Sequence, residues 1–433
     1  MLRLVQIAVS LLVVAATVAQ CEVQSYAEYM VCRFKTRDHR HVVEDIVKPL
    51  TNDYDIWARN EEFIDIRLHK GVGPVEGCDI MIEDLERAVR ESYAEEKGTR
   101  AESDSEVQVS FANLGSSDFF FHEFRDLETI YSWLDLLEHS FPHLVKVEWV
   151  GETFEGRSLK ALHISTNNPE TNPEKKTIVM TGGIHAREWI SISSVCWTVY
   201  QLLTKYGMSK KETRFLDHLD FLIIPVFNPD GYAYTWEHDR LWRKNRQETF
   251  VPSCPGIDID HSFDYQWTAN NEFPCSEEYS GEEPFEAIEA SSWADYLNTT
   301  KGEYKVYGFL DFHSYSQEIL YPYAYSCDAL PRDLENLLEL SYGLSKAIRN
   351  RSGKYYKVSP ACKDRGSDLM PGLGSGSALD FMYHHRARWA FQLKLRDTGN
   401  HGFLLPSKFI RPVGKETYAA VKYFCSFIVD PDL

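Results

Sequence analysis

The chain lacks an excess of basic residues: its 433 residues include 65 Asp and Glu against 46 Lys and Arg, a formal net charge of −19. Nucleic acids and anionic lipid surfaces attract basic proteins, so this balance argues against either as an electrostatic partner. Beyond its first 20 residues, the sequence also lacks an apolar run of the roughly 20 residues that a membrane helix needs. We therefore expect a soluble mature chain with no nucleic-acid partner and no membrane partner.

The N-terminal segment has the pattern of a secretory signal peptide. Arg3 precedes an apolar stretch, which small residues follow up to Ala19. This order predicts a signal peptide over residues 1–19 and a secreted, extracellular protein. All nine cysteines follow Ala19. Export favours disulfides, and the odd number leaves at least one cysteine free or paired between chains.

The part of the chain that follows the predicted signal peptide mixes two short patterns. Residues 63–68 alternate apolar and polar side chains, which predicts a strand, and residues 79–97 have a helix-like spacing of Ile80, Ile82, Leu85 and Val89. We therefore predict a small α/β unit over residues 20–100. The polar stretch after it has the composition of an exposed linker, which we place at residues 101–118.

The longer remainder, residues 119–433, alternates helical segments with strongly apolar strands. Near-continuous apolar strands separated by helices indicate a sheet covered on both faces. The sequence therefore predicts an α/β/α domain of the catalytic type. The predicted strands lie in residues 177–183, 221–231, 307–316 and 389–399.

Three side chains that can bind metal lie on or just after two of these strands. His185 and Glu188 are three residues apart after the first strand, and a later strand carries His313. Two imidazoles and a carboxylate that leave a fourth position open form a catalytic zinc site. On its own, an H-x-x-E pair is weak evidence, because most such pairs are ordinary surface residues.

Four blocks of sequence carry a much more specific signal. Their order and spacing resemble those of the zinc metallocarboxypeptidases of the pancreatic A and B type, over about Phe119 to the C-terminus. The upstream unit is more loosely similar to the activation segment that shields the active-site cleft in that family. The resemblance implies a mixed-sheet α/β/α domain, one zinc ion, and two partners: the C-terminal segment of a peptide or protein, and the chain's own activation segment. The blocks are GGIHAREW (182–189), NPDGYAYTWEHDRLWRKNR (228–246), FHSYSQEILYPY (312–323) and LRDTGNHGFLLP (395–406).

The same resemblance assigns roles to individual residues. It makes His185, Glu188 and His313 the zinc ligands. It makes Arg187 a substrate contact and Arg243 the group that polarises the scissile carbonyl, as a donor in an oxyanion hole does. It also places Leu379 at the floor of the specificity pocket, which would favour apolar side chains; the alternative is that Leu379 is a core residue.

Two disulfides are implied by the resemblance. One joins Cys254 to Cys275 and the other joins Cys327 to Cys362. Cys32 and Cys78 could close the upstream unit, but the sequence does not fix this pairing, nor that of Cys21, Cys196 and Cys425.

The first departure from the family's pattern is at position 394, where the family's general base is a glutamate and this chain has Lys394. A general base contributes about 10²- to 10⁴-fold to the rate, and an ammonium cannot accept the proton. A lysine beside Zn²⁺ is also repelled unless it deprotonates or turns away. A neutral Lys394 acting as the base is the weaker alternative.

Two further departures concern substrate binding. The family clamps the terminal carboxylate with an Asn-Arg pair, whose place is taken by Asp260 and His261. A carboxylate repels the group that the arginine fork would bind. The family's mobile tyrosine falls near Gly372, and no tyrosine lies between Tyr356 and Tyr383.

A weaker departure from the family's pattern concerns proteolytic activation. Members of the family are cut by a trypsin-like protease before the second unit, and residues 101–123 contain neither Lys nor Arg, which leaves Arg100 as the nearest candidate. The upstream unit therefore either is released at Arg100 or by another protease, or stays attached.

The departures leave two functions open. The one that the sequence favours is a catalytically impaired relative that keeps zinc and binds peptides. The alternative is an active metallocarboxypeptidase that releases C-terminal, mainly apolar, residues.

Overall fold

The structure is a computed structural model, and it describes residues 23–93, 120–166, 175–269, 273–365 and 374–430. The predicted signal peptide, the predicted linker, Arg100 and Gly372 lie outside the described residues. None of the described helices combines the length and the apolar character that a membrane crossing requires.

The upstream part of the chain forms a four-stranded antiparallel sheet with the order β2-β3-β1-β4. A disulfide joins Cys32, on β1, to Cys78, just before β4. The elements are β1 (Tyr29–Phe34), α1 (His39–His41) continued by a π-helical segment (Val42–Val47), β2 (Tyr54–Arg59), β3 (Ile64–His69), β4 (Asp79–Ile82) and α2 (Leu85–Ser92).

The helix predicted from residue 79 starts later than expected. Residues 79–82 form β4, which pairs with β1, and the side chain of Ile80 is exposed. The helix α2 begins at Leu85, where the Asp84 side chain accepts a hydrogen bond from the Arg87 backbone N–H. Such a cap satisfies a donor that the first helical turn leaves open. The prediction of one continuous helix was therefore wrong.

The second part of the chain forms an eight-stranded sheet with the order β11-β10-β12-β9-β7-β8-β6-β5. The central strands β12, β9, β7 and β8 are parallel, while β10, β6 and β5 add antiparallel pairs. The mixed α/β fold is therefore confirmed. The strands are β5 (Val145–Glu152), β6 (Ser158–Ile164), β7 (Lys176–Gly182), β8 (Leu219–Ile224), β9 (Lys305–Ser314), β10 (Glu318–Tyr321), β11 (Lys357–Pro360) and β12 (Trp389–Leu395).

Helices pack around this sheet. The strands β7, β8 and β12 are buried at nearly every position, as strands are when both faces of a sheet are covered. The C-terminal helix α11 packs against both α4 and α8. The helices are α3 (Leu127–Ser140), α4 (Trp189–Lys205), α5 (Lys210–His218), α6 (Pro229–Glu237), α7 (Ile288–Thr299), α8 (Leu334–Ser352), α9 (Ala361–Arg365), α10 (Ala378–His385) and α11 (Ile410–Val429).

Candidate metal centre and cleft

The parallel strands β7 and β9 bring the predicted metal ligands together. They are neighbours in register, with Gly182 at the end of β7 opposite Phe312 on β9. His185 follows β7 by three residues, Glu188 precedes the first residue of α4, and His313 lies on β9. Because the carboxyl ends of parallel strands meet at one edge of the sheet, side chains far apart in sequence converge there.

The three side chains are buried and in direct contact. His185 Nδ1 lies 2.8 Å from Glu188 Oε1, and His313 Nδ1 lies 3.1 Å from Glu188 Oε2 and 3.2 Å from His185 Nδ1. One ligand atom from each residue lies within 4.8 Å of the others. The Ser314 backbone N–H also donates to Glu188 Oε2, at 3.0 Å, and orients this carboxylate.

Each imidazole contacts a further carboxylate of its own through the other ring nitrogen. His185 Nε2 lies 3.2 Å from Asp258 Oδ1, and His313 Nε2 lies 2.9 Å from Asp311 Oδ2. A carboxylate on the far nitrogen fixes the ring and leaves Nδ1 to face a metal, the arrangement common around zinc. Two imidazole nitrogens and a carboxylate oxygen therefore form a donor set that suits Zn²⁺.

The electrostatics of the centre favour ionised carboxylates. Burial opposes ionisation of Glu188, but the charges and hydrogen bonds of His185 and His313 outweigh it and hold its pKa well below the usual range. Burial likewise opposes ionisation of Asp258, and Arg243 and His185 lower its pKa. The carboxylate of Glu188 is therefore kept in the form that binds a cation.

The two predicted arginines have different surroundings. Arg243 donates to Asp258 Oδ2 through Nη2, at 2.7 Å, so it lies beside the carboxylate that supports His185. Arg187 is fully buried, and its Nη1 donates to Asp55 Oδ2 of β2, at 2.7 Å. The Trp57 indole N–H donates to the same Asp55 oxygen, at 3.0 Å. The upstream unit therefore engages Arg187 with its own carboxylate.

Lys394, at the position of the family's general base, forms a close ion pair. Its Nζ lies 2.5 Å from Asp364 Oδ1, and the two side chains are 16% and 3% exposed. On the neighbouring strand β10, Glu318 lies opposite Lys394 in register. The Lys394 side chain is therefore paired with a buried carboxylate.

Asp260 and His261 are both fully buried and bonded within the protein. Asp260 Oδ1 accepts the Ala378 backbone N–H at 3.0 Å, and its Oδ2 accepts from Gln392 Nε2 at 3.3 Å. His261 Nδ1 lies 3.1 Å from the Ser375 backbone oxygen. Neither side chain supplies the forked donor that a terminal carboxylate would bind.

A family model described as zinc carboxypeptidase matches residues 130–420. The chain belongs to this family. Inactive metallocarboxypeptidase ECM14 from Saccharomyces cerevisiae is 66% identical, over 95% of this chain and 94% of that protein. Inactive metallocarboxypeptidase ECM14 from Uncinocarpus reesii is 41% identical, over 93% of this chain and 74% of that protein.

Solved structures agree with the zinc carboxypeptidase fold. Thrombin activatable fibrinolysis inhibitor matches with a TM-score of 0.78 and 27% identity, over 94% of this chain and all (100%) of that chain. Carboxypeptidase A from Helicoverpa armigera matches with a TM-score of 0.74 and 23% identity, over 94% of this chain and 98% of that chain. The second likeness concerns the fold alone.

The cysteine pairs implied by the zinc carboxypeptidase resemblance are bonded in the structure. Cys254 is joined to Cys275 and Cys327 to Cys362, while Cys196 and Cys425 are buried free thiols. Leu379 is buried within the hydrophobic core of the second unit. That position suits a core residue, and its role as a pocket floor stays a prediction.

Several residues of the cleft were not found from the sequence. Asp311 carried a signal, since residues two apart on a strand share a face and Asp311 precedes His313 by two. Asp258 lies in the block that carries Asp260 and His261, but nothing in the spacing marks it. Asp55 and Asp364 lie in segments without any motif of the zinc carboxypeptidase family.

Proposed function

We propose that this chain is a secreted relative of the zinc carboxypeptidases that binds zinc and peptides but is catalytically inactive. The observation that carries the proposal is the contrast between two neighbouring sites. The donors His185, Glu188 and His313 and their supporting carboxylates are complete, whereas the general-base position holds a lysine paired with Asp364.

The residues of the cleft support binding without turnover. Lys394 donates protons and, as an ammonium, accepts none, so the chain has no proton acceptor at that position. Asp260 and His261 do not replace the arginine fork that holds a substrate's carboxylate. The names of both relatives given above, "inactive metallocarboxypeptidase", support the same conclusion.

Zinc would be held by His185, Glu188 and His313. When bound, Zn²⁺ acts as a Lewis acid and lowers the pKa of water. Asp258 and Asp311 orient the two imidazoles, and Asp258 also fixes Arg243 beside the centre. Secretion is supported by the pattern of residues 1–19 and by three disulfide bonds in the described residues, since disulfides persist in oxidising compartments.

Metal content and peptide hydrolysis test the proposal on the purified full chain. We expect about one zinc per chain by elemental analysis. His185→Ala should lose the zinc, and His384→Ala, which removes an exposed histidine, should keep it. Blocked peptides that end in Phe, Lys or Glu should release no C-terminal residue. A chain without zinc, or zinc retained in His185→Ala, would contradict the metal assignment, and hydrolysis quenched by a chelator would contradict inactivity.

A further inference from the structure

Two tripeptides of the second unit have the form that accepts an N-linked glycan. Asn298-Thr299-Thr300 and Asn350-Arg351-Ser352 both match Asn-x-Ser/Thr, in which x is any residue except proline. None of the other asparagines in the sequence begins such a tripeptide. Tripeptides of this form also occur by chance, so the surroundings of each asparagine have to show whether a glycan fits.

Both asparagines are exposed near the end of a helix. Asn298 is the penultimate residue of α7 and follows Leu297, the last buried residue of that helix. Asn350 lies two residues before the end of α8, after the buried Ile348. A glycan is bulky and hydrophilic, so a fold accommodates it only where the asparagine faces solvent. Both positions meet this condition.

A neighbouring arginine orients the amide of Asn298. Arg386 donates through Nη2 to Asn298 Oδ1. A guanidinium has donors and no acceptor, so it holds the amide oxygen toward Arg386 and leaves the amide nitrogen on the other side of the group. A glycan is attached to Nδ2 and leaves Oδ1 able to accept. The contact with Arg386 is therefore compatible with a glycan on Asn298.

Asn298 lies at the edge of the sheet opposite the metal centre. It comes shortly before Lys305, the first residue of β9, and its partner Arg386 comes shortly before Trp389, the first residue of the parallel strand β12. His313 lies near the other end of β9. At about 3.3 Å per residue, Lys305 and His313 are roughly 26 Å apart along the strand. A glycan on Asn298 therefore leaves the metal centre accessible.

We propose that the exported protein carries N-linked glycans at Asn298 and Asn350. The inference rests on the proposed secretion, because the transfer takes place during export. Nδ2 of the asparagine bonds to the anomeric carbon of an oligosaccharide carried on a polyprenyl diphosphate. The bond between that carbon and the diphosphate oxygen breaks, the polyprenyl diphosphate leaves with the electron pair, and Nδ2 loses one proton. The bulk of each glycan then excludes a protein partner from the ends of α7 and α8.

The experiment uses the full-length chain, expressed from its own N-terminus in a eukaryotic host and purified from the medium. Its mass is measured before and after treatment with peptide-N-glycosidase, which converts a glycosylated asparagine to aspartate. Treatment in water labelled with heavy oxygen, followed by peptide mapping, identifies the modified positions.

The variants separate the asparagine from the rest of the acceptor tripeptide. Asn298→Gln, Asn350→Gln and their combination remove the acceptor amides, and Thr300→Ala removes only the hydroxyl of the first tripeptide. Asn336→Gln is the matched control, because Asn336 is an exposed residue of α8 that begins no acceptor tripeptide.

We expect two glycans on the unmodified chain and on Asn336→Gln, one on each single variant, and none on the double variant. Thr300→Ala should lose the same glycan as Asn298→Gln and keep the contact with Arg386. Recovery of Asn298 or Asn350 unmodified from exported protein would overturn the inference for that residue. Circular dichroism checks that each variant is folded, and Thr300→Ala serves if Asn298→Gln is not.

Zinc content, peptide hydrolysis and the mature N-terminus are measured on the same proteins. Exported protein without either glycan would overturn this inference and leave zinc binding and inactivity intact. A chain kept inside the cells with residues 1–19 still attached would contradict the proposed secretion and the glycans with it. Glycosylated protein that lacks zinc or hydrolyses peptides would count against the proposed function alone.

Discussion

The ammonium of Lys394 and the carboxylate of Asp364 depend on each other. Asp364 is 3% exposed, and its Oδ1 lies 2.5 Å from Lys394 Nζ. Removing one partner of a buried pair leaves the other charge desolvated and uncompensated, which costs more than the pair itself contributes. Lys394, which stands in place of the family's general base, therefore also stabilises the fold.

We predict that Lys394→Met lowers the free energy of unfolding by about 3 kcal/mol. The double change Lys394→Met with Asp364→Asn should recover part of this loss, because the uncompensated charge is gone. The measurement is urea unfolding at neutral pH. Lys357→Met is the control, since Lys357 is more exposed and its nearest carboxylate oxygen, on Glu61, is 3.4 Å away; it should change stability by less than about 1 kcal/mol. Equal losses in Lys394→Met and Lys357→Met would contradict the argument.

The buried side chain of Glu318 makes the stability of the fold depend on pH. Burial, and then the charge of Asp364, raises the pKa of Glu318 to about 7, against the opposing charges of Lys394 and Lys357 and a hydrogen bond from Ser316. Between about pH 4.3 and pH 7 the unfolded chain loses this proton and the folded chain keeps it. The stabilisation that follows is complete below about pH 4.3 and is lost as the pH rises through 7.

We therefore expect unmodified protein to lose about 3 kcal/mol more stability than Glu318→Gln when the pH rises from 4.3 to 7.5. Glutamine keeps the neutral shape and the contact with Asn60, so it removes only the titration. Glu289, whose pKa burial raises to about 7, titrates in both proteins and cancels in the difference. Denaturant unfolding at several pH values gives the free energy of unfolding against pH for the two proteins. Parallel curves would show that Glu318 does not titrate in this range.

At the scale of elements, the apolar strands were predictable and the contacts between distant elements were not. The strands β7, β8, β9 and β12 overlap the predicted apolar runs, because burial on both faces leaves a local signal. Residues 79–82 were misassigned because their helix-like spacing gives no sign of pairing with β1. The ion pair of Arg187 with Asp55 spans 132 residues, and that of Arg59 with Glu278 spans 219, so no local pattern marks either pair.

The residues of the candidate site likewise divide into those that the sequence predicted and those that it did not. His185, Glu188 and His313 were predictable because each follows or ends a recognisable strand and matches a family block. Lys394 was identified by its position before LRDTG, but its partner was not. Asp364 lies on the five-residue helix α9, without a motif, and meets Lys394 only through the tertiary fold.

The loop closed by the disulfide between Cys254 and Cys275 holds several residues of the candidate site. It carries Asp258, Asp260 and His261, so it positions residues at both the metal centre and the altered clamp. The two cysteines are 21 residues apart, and a loop of that length corresponds to about 3 kcal/mol of stabilisation in the chain-entropy model.

We predict that Cys254→Ser with Cys275→Ser lowers the free energy of unfolding by about 3 kcal/mol. Peptide mapping of the unmodified protein without reduction should recover Cys254 linked to Cys275. The exposed Ser253 provides a control, and Ser253→Ala should leave stability within about 0.5 kcal/mol. Recovery of Cys254 as a free thiol in the unmodified protein would contradict the prediction.

At the scale of the whole molecule, the upstream unit and the altered cleft act on the same surface. The upstream unit contributes a carboxylate to Arg187, a guanidinium to Glu278 and an amide to Glu318. We predict that a substrate at Arg187 has to displace Asp55, and that it then meets a lysine at the general-base position and no arginine clamp. The obstacles to turnover are therefore separate in space and in chemistry.

This separation predicts that no single repair restores hydrolysis. Lys394→Glu supplies a carboxylate, but it also places that carboxylate against Asp364 and next to Glu318, so its proton affinity should rise and the fold should weaken. Asp260→Asn with His261→Arg supplies the clamp without the base.

Residues that act as one catalytic unit are strongly non-additive. We therefore expect a marked rise in hydrolysis only when Lys394→Glu, Asp260→Asn and His261→Arg are combined, with Asp364→Asn added to relieve the like charges. The assay is zinc-dependent release of a C-terminal Phe or Leu from a short blocked peptide, before and after limited proteolysis between the two units. Activity should increase after proteolysis, because Arg187 is then freed from Asp55. Full activity of Lys394→Glu alone would show that another cation, Arg243 being the first candidate, holds the substrate's carboxylate, and that the lost clamp does not limit turnover.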